Sequence, residues 1–447
     1  MAATGLGKDF RVLWAANSVS TLGDGMVAAA APLLVASVSG NPVLVGLAVF
    51  VQQLPWLLFA LVSGVFIDRL DKRRLIVAVD AGRGVLTALL ALAVWSGHAS
   101  IPVIYVTAFV LGTGETLAET AASTLVPAVV PPELLPTANS RLHGSYFVLN
   151  KFAGRPAGAS LFVLAAAVPF GLDATSFVVS AALVATMHGI RRERGAVPPA
   201  PSAERPPDAP APAPAPAPAS APPPVPAPAP ARSSVRADIA EGLRWLWAEP
   251  VIRMLTVALC LMNLTLTAGM SILVLYARDR LGTGEVGYGF LLSASAVGGV
   301  FGALLAPRLQ AWLSASVLLR AGLVIETLTH VGLACATTGW VAGAVLVAFG
   351  VHSSVFGGVE TTFRQRRVPE ELRGRVQSAF MTFALGGNVL GALIGGPLVR
   401  WYGVTAPFWW SAAGMAVLTA VAWRPFGRNL RPGQGGRAAG RPAVTHS

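Results

Sequence analysis

Long apolar runs alternate with short polar segments along almost the whole chain. A helix that crosses a membrane needs about 20 largely apolar residues, and runs of this length occur six times before residue 191 and six times after residue 250. They cover residues 11–38, 43–66, 74–96, 101–126, 141–165 and 169–190, then 251–276, 284–307, 315–336, 340–362, 376–399 and 404–424. The pattern predicts an all-α integral membrane protein with twelve transmembrane helices.

The segment between the two sets of runs has a different composition. Residues 209–231 are almost entirely alanine and proline, and such a segment stays extended and solvated because it cannot form a packed core. We therefore expect an N-terminal six-helix bundle over 1–190, an Ala/Pro-rich cytoplasmic linker over 191–236, an interfacial helix and C-terminal six-helix bundle over 237–426, and a disordered cytoplasmic tail over 427–447. The stretch 237–247 fits a helix on the membrane surface or, equally, a solvated lead-in to the seventh span.

Composition and charge agree with a membrane location. Hydrophobic residues make up 54% and charged residues 12% of the chain, whereas a soluble domain carries roughly twice that charged fraction. The net charge is +12, and the lysines and arginines gather in alternate loops. Because cytoplasmic loops carry the excess of basic residues, we expect a multi-pass protein of the plasma (inner) membrane with both termini inside. The basic loops would face anionic lipid headgroups, and no nucleic-acid partner is expected.

Two loops contain related pentapeptides. Val130–Leu134 reads VPPEL before the fifth run, and Val368–Leu372 reads VPEEL before the eleventh. The offset of 238 residues between them also places Gly64 on Gly302. We interpret the two sets of runs as two six-helix bundles related by a parallel repeat, with a substrate site between them near the middle of the membrane.

The loop between the second and third runs carries a specific motif. It begins Gly64-Val-Phe-Ile-Asp68-Arg69, which resembles the G-x-x-x-D-R-x-G-R-[RK] signature of the major facilitator superfamily, in the branch containing macrolide-efflux proteins and the enterobactin exporter. The resemblance covers both halves and implies the major facilitator fold. It also implies a latch between the bundles, with Asp68 facing the N-terminus of the eleventh span. The residues assigned to this latch are Gly64, Asp68, Arg69, Arg73, Arg74 and Arg83; the other interpretation is that the arginines only set the topology.

Three positions depart from the pattern of that family. The glycine that usually follows D-R-x is Asp71. The fourth run reads Gly-Thr-Gly-Glu over 112–115 and lacks the arginine that many proton-coupled antiporters place there. The fifth run carries Arg155 between Gly154 and Gly158. Glycines at this spacing permit close helix packing, so we expect both to lie against a neighbouring helix.

Charged residues inside the apolar runs are the candidates for function, because each costs roughly 2.5–3.5 kcal/mol at mid-membrane. The candidates are Asp24, Glu115, Glu119, Lys151 and Arg155. The two acids of the fourth run are one helical turn apart, as are the two bases of the fifth, so each pair shares a face. The family resemblance implies that the first, fourth and fifth spans border a central cavity. We predict that these residues bind substrate or carry a proton; the alternative is a static ion-pair network.

Other chemistry is not indicated by the sequence. The chain has no G-x-x-x-x-G-K-[ST] loop and no H-E-x-x-H pair, so we expect no cofactor, no metal and no enzyme activity. Cys260 and Cys335 lie in apolar runs and are interpreted as packing residues. Glu326 and His330 form a one-turn pair that we interpret as structural, and His352 as a satisfied packing residue.

The pattern, the charges and the motif together predict a secondary transporter. We expect a monomeric, proton-coupled exporter of a drug, antibiotic or siderophore-like molecule that works by alternating access. Its partners would be that small molecule, protons and membrane lipids. The alternatives are an importer or a lysophospholipid flippase of the same fold, and a non-transporting membrane receptor or scaffold. A receptor would carry a folded soluble domain, which neither the linker nor the tail resembles.

Overall fold

The computed structural model describes residues 5–59, 70–187 and 235–428, and these residues form helices and short connections without any strand. The first half contains α1 (Lys8–Val38), α2 (Pro42–Phe59), α3 (Lys72–Trp95), α4 (Ile101–Val129), α5 (Leu135–Ser145), α6 (Arg155–Leu164) and α7 (Val168–Ala185). The second half contains α8 (Val235–Ala248), α9 (Pro250–Met270), α10 (Gly284–Trp312), α11 (Ala315–Cys335), α12 (Gly339–Arg367), α13 (Arg373–Tyr402) and α14 (Ala406–Arg428). Ten helices of the described part are long and apolar enough to cross a membrane.

A π-helical segment interrupts the fifth predicted span, and another follows the seventh. The segment Tyr146–Gly154 joins α5 to α6, so the fifth apolar run is one helical rod in three pieces. After α9 the chain continues through a helical turn, Leu273–Leu275, into a second π segment, Tyr276–Arg280. Segments of this kind are rare and occur frequently at functional sites. The first of them contains Lys151.

The two related pentapeptides adopt the same local conformation. Each forms a single 3₁₀ turn, Pro132–Leu134 and Glu370–Leu372, directly before an α-helix. The residues that precede these turns, Pro131 and Pro369, have φ/ψ values of −56°/145° and −53°/145°. The sequence similarity at an offset of 238 residues therefore corresponds to a repeated turn at equivalent points of the two halves.

The described part of the molecule has three hydrophobic cores, two at one end and one at the other. We call the end that carries the start of α1 and the end of α7 the linker end, and the opposite end the far end. At the linker end the first half has its own core, around Phe10 and Leu125, and the second half has a separate one, around Ile252 and Phe380. At the far end a single core contains residues of both halves, including Val35 and Tyr276. The halves are therefore joined at the far end and divided at the linker end.

Glycines bring the backbones of the two halves together at the far end. A Cβ atom added to Gly46 in α2 would lie 3.0 Å from the backbone nitrogen of Gly396 in α13. A Cβ atom added to Gly289 in α10 would lie 3.1 Å from Cα of Pro156 in α6. Such contacts are closer than side chains usually allow, so helix backbones form much of this interface.

Gly154 and Gly158 lie against α1. A Cβ atom on Gly154 would lie 2.9 Å from Cα of Gly25, and one on Gly158 would lie 2.6 Å from Cα of Met26. In the same contact a Cβ atom on Gly25 would lie 2.8 Å from Cα of Asn150. The small residues let the π segment and α6 approach α1 along its middle.

The predicted helix over 237–247 is α8, and it is docked on the protein. Leu246 is fully buried in the linker-end core of the second half. The Trp247 ring packs edge-on against Phe383 of α13, with ring centroids 5.6 Å apart. Glu241 forms an ion pair with Arg375 at the start of α13. This helix therefore covers α13, a contact that neither sequence interpretation specified.

Replacing Gly158 by leucine should destabilise the first half, because the new side chain would overlap the α1 backbone at Met26. Overpacking of this kind costs about 1–3 kcal/mol. The measurement is the free energy of unfolding of the purified protein in mixed micelles. Gly144→Leu is the matched control, since nothing lies within 4 Å of a Cβ atom at that position. Equal stability of the two variants would contradict the packing described for α6.

Candidate functional site

A buried arginine organises the charges of the first half. Arg83 of α3 is only 7% exposed, and its Nη2 lies 2.7 Å from Oδ1 of Asp24 in α1. Its Nη1 lies 4.0 Å from Oδ1 of Asp80, one turn earlier in α3. The guanidinium also sits 4.1 Å above the ring centroid of Phe177 in α7. One cation thus connects three helices away from water.

Serines of α7 donate hydrogen bonds to Asp80 and to one further buried acid, Asp173. The Ser180 hydroxyl donates a hydrogen bond of 2.7 Å to Oδ2 of Asp80. Asp173 is 1% exposed and accepts a hydrogen bond of 3.3 Å from the Ser176 hydroxyl. Sequence analysis did not assign either acid to the site. The available signal was the spacing, since Asp80 and Arg83 share a helix face, as do Asp173 and Ser176.

Glycines on the neighbouring helices make room for these side chains. A Cβ atom on Gly114 of α4 would lie 2.9 Å from both Cγ and Cδ of Arg83. A Cβ atom on Gly23 of α1 would collide with Asp173 and Ser176. The Gly-Thr-Gly-Glu sequence of α4 therefore lets the arginine stem cross that helix, and Gly23 lets α7 place its acid beside α1.

The two acids of α4 lie beside the network without joining it as ion pairs. Glu115 is partly buried, and the Trp56 side chain neighbours its carboxylate. Glu119, one turn along, is exposed. Over the described ranges, no lysine, arginine or histidine nitrogen lies within 4.0 Å of either carboxylate. Glu115 therefore combines partial burial with the lack of a neutralising partner.

The segment of the fifth span that carries the two bases contacts the second half. Nη1 of Arg155 donates to the Leu292 carbonyl of α10 at 3.4 Å. Nζ of Lys151 lies 5.3 Å from the Tyr146 ring centroid, and the Lys151 backbone carbonyl accepts a 2.7 Å hydrogen bond from the Ser293 hydroxyl. This stretch of the fifth span thus belongs to the interface between the halves.

This arrangement differs from the expected grouping of charges. The cation paired with Asp24 is Arg83, which the family resemblance had placed in the latch, and neither Lys151 nor Arg155 is that partner. Since Arg83 lies within α3, its side chain reaches the acids of α1 and α3 inside the helical bundle. In the described part of the chain the predicted bases of the fifth span make no ion pair with Glu115 or Glu119.

The other latch residues are only partly described. Gly64, Asp68 and Arg69 lie outside the described residues. Arg73 donates to the Val184 carbonyl at 3.2 Å and to the Ala185 carbonyl, and so ties α3 to the end of α7.

Arg74 and Asp71, at the start of α3, also make local contacts. Arg74 is 89% exposed, and its Nε lies 3.9 Å from Oδ2 of Asp71. Asp71, which departs from the family motif, caps α3 by accepting a hydrogen bond from the Arg74 amide. Like those of Arg73, these contacts stay within the first half, so a latch to the second half remains a prediction.

The second half has two buried charge clusters of its own. Oε2 of Glu326 lies 2.9 Å from Nε2 of His352, and Oε1 lies 3.6 Å from Nε2 of His330. The structure therefore joins His352 to the pair that we interpreted as structural. Nearer the linker end, Arg364 pairs with Glu360 and lies 3.9 Å above the Phe380 ring. Among the described residues, no group of three or more His, Cys, Asp or Glu side chains is placed to hold a metal ion.

Long apolar helices, a division into two halves and charges buried at mid-helix define a multi-pass membrane transporter. A sequence profile of the Major Facilitator Superfamily matches residues 13–386. The chain belongs to this superfamily, which confirms the resemblance seen in the loop after the second run.

Relatives of known activity and a solved structure agree with this assignment. The chain is 28% identical over 195 residues to the multidrug efflux pump Tap of Mycolicibacterium fortuitum, covering 42% of this chain and 46% of Tap. It is 24% identical over 391 residues to the enterobactin exporter EntS of Shigella boydii, covering 87% and 84% of the two chains. The nucleoside transporter NupG superposes with a TM-score of 0.70 at 10% identity, covering 94% of this chain and all of that structure.

Replacing Arg83 by leucine should destabilise the protein by roughly 3–5 kcal/mol, because it leaves buried carboxylates without their cation. Removing Asp24 as well, in Asp24→Asn/Arg83→Leu, should cost less than the sum of the two single changes. The measurement is a double-mutant cycle of unfolding free energies.

The matched control for this cycle is Arg74→Leu on the same helix. Because that side chain is 89% exposed, its replacement should cost no more than about 1 kcal/mol. Additive costs for Asp24 and Arg83, or an Arg83 variant as stable as the control, would contradict the network.

Proposed function

We propose that the protein is a proton-coupled exporter of an organic small molecule that spans the plasma membrane twelve times and works by alternating access. The observation that carries this proposal is the distribution of hydrophobic cores, one shared at the far end and two separate at the linker end. Such a molecule has two halves that can rock about a site between them. Charges buried at the middle of the first half supply that site with groups able to exchange protons.

The proposed span count combines ten single helices with two further elements. α5, the π segment and α6 together make the fifth span, and α14 makes the twelfth. The spans then divide into two six-helix bundles, in agreement with the repeated 3₁₀ turn. The basic segments around Arg73, Arg141 and Arg366 would all lie at the linker end, which supports a cytoplasmic location for that end and for both termini.

In this topology the shared core lies at the extracellular end and the two separate cores lie at the cytoplasmic end, which supports a conformation open toward the cytoplasm. The closed far end would be the extracellular gate, made by the contacts of Gly46 with Gly396 and of Gly289 with Pro156. Opening this gate requires these backbones to separate while the two linker-end cores approach one another. Rigid-body rocking of this kind leaves each linker-end core intact.

Proton coupling is proposed for Glu115. Asp24 is neutralised by Arg83 at 2.7 Å, whereas Glu115 is partly buried and has the Trp56 side chain as its neighbour. A charge at this depth is costly. Uptake and release of a proton by Glu115 would therefore change the free energy of contact between the two halves. Arg83 crosses α4 at Gly114 and would supply the cation that related antiporters carry on the fourth span.

Export is the direction that the relatives support. Tap is an efflux pump and EntS is an exporter, and EntS matches over most of both chains. NupG, at 10% identity, supports the fold alone. The substrate class of a drug, an antibiotic or a siderophore-like metabolite follows from the same two relatives.

Cells lacking their own efflux pumps should accumulate less of at least one compound from a panel of dyes and antibiotics when they express this protein, and a protonophore should abolish the difference. Glu115→Gln should reduce this export at least tenfold, because an amide cannot exchange the proton. Glu285→Gln, at an exposed far-end position, is the matched control and should export normally. Full protonophore-sensitive export by the Glu115 variant would contradict the coupling role.

A further inference from the structure

Two cations at the interface between the halves have no acidic partner. Lys151 and Arg155 lie four residues apart on the rod formed by the π segment and α6. Across the described residues, no carboxylate oxygen lies within 4.0 Å of a side-chain nitrogen of either residue. Buried or partly buried cations are normally paired, and the structure pairs Arg83 in this way but leaves these two uncompensated.

Arg155 is short of hydrogen-bond acceptors as well as of a counter-charge. A guanidinium has five N–H donors. Its Nε is buried without any partner, and its Nη1 makes a long hydrogen bond of 3.4 Å to the Leu292 carbonyl. The phenols of Tyr146 and Tyr288 are its electrostatic neighbours, and a phenol is neutral at physiological pH. A planar donor group is thus held at the interface with one buried N–H unpaired and one long hydrogen bond.

We propose that Lys151 and Arg155 bind an oxyanion carried by the transported molecule, a carboxylate, phosphate or sulfonate, so that the substrate is an organic acid or a zwitterion. A partly desolvated guanidinium binds such groups through two parallel hydrogen bonds, and the ammonium of Lys151 supplies a second charge from the same rod. This inference rests on the proposed transport function and specifies the class of its substrate.

The position of this site also connects the substrate to the gate. Arg155 contacts the Leu292 carbonyl of α10, which belongs to the other half. An oxyanion is a stronger acceptor than a neutral carbonyl, so a bound substrate would take the place of this contact. Loss of the contact loosens α6 from α10, next to the point where Gly289 meets Pro156.

The competing explanation is that the acids of α4 balance these cations at longer range. Glu115 is close enough to influence Lys151 electrostatically. In that case the site needs no ligand, and a compound with an acidic group has no advantage over its neutral counterpart. The two explanations therefore differ in a binding preference that can be measured without knowing the natural substrate.

The test uses purified full-length protein in lipid nanodiscs and a panel of aromatic carboxylic acids of increasing size, each beside its own methyl ester. Binding is measured as the ligand-induced rise of the thermal unfolding midpoint across a concentration series. We expect acids of the panel to bind at least tenfold more tightly than their esters, which is the scale of a charged hydrogen bond. Lys151→Gln and Arg155→Gln should each remove this preference, and Arg155→Lys should keep part of it.

Arg400→Gln, at an exposed far-end position, is the matched control for the lost charge and should keep the preference of the wild type. Three results would each overturn the proposal: esters binding as well as acids, acids binding as tightly to the Lys151→Gln/Arg155→Gln double variant as to the wild type, or no acid raising the midpoint of the wild type. Transport of a neutral or cationic compound without any preference for acids would contradict the oxyanion site and leave the proposed export function unaffected. Acid-specific binding without protonophore-sensitive transport would contradict proton-coupled export and support the oxyanion site.

Discussion

Backbone contact between the two halves at the far end is the constraint on which the rest of the structure depends. Gly46 meets Gly396, and Gly289 meets Pro156, at distances that leave no room for larger side chains. Within a membrane the hydrophobic effect does not hold helices together, so close packing of small residues has to do so. The contact joins one end of the molecule and leaves the other end as two separate cores, which is the division that the proposed rocking motion requires.

The buried charges follow the same division. In the first half Arg83 pairs with Asp24 and Asp80, and in the second half Glu326 pairs with His330 and His352. Both clusters lie inside their own half, and such pairing keeps a buried charge from becoming an uncompensated cost. Glu115, Lys151 and Arg155 are partly buried and have no ion-pair partner among the described residues. These belong to the fourth and fifth spans, and our account assigns the proton and the substrate to them.

The length of the apolar runs was sufficient to predict ten of the spans, because an apolar segment of about 20 residues satisfies its own backbone hydrogen bonds by forming an α-helix. The π segment Tyr146–Gly154 was not predictable from the apolar run, which has the same composition whether the helix is regular or not; in the structure its Asn150 packs against Gly25 of α1. Candidate charges were recognised by their cost in the membrane, but their partners were not. Whether Asp24 meets Arg83 or Lys151 depends on helix rotation and on Gly114, which a single sequence does not specify.

The most direct test of alternating access is the distance between spin labels at both ends of the molecule, measured by pulsed electron paramagnetic resonance with Cys260 and Cys335 replaced by serine. One pair would join exposed positions at the far end, His98 and Trp340, and the other would join Arg74 and Arg366 at the linker end. Our account predicts that a transported compound or a change of pH lengthens the far-end distance and shortens the linker-end distance together. Two fixed distances, or two that change in the same direction, would contradict it.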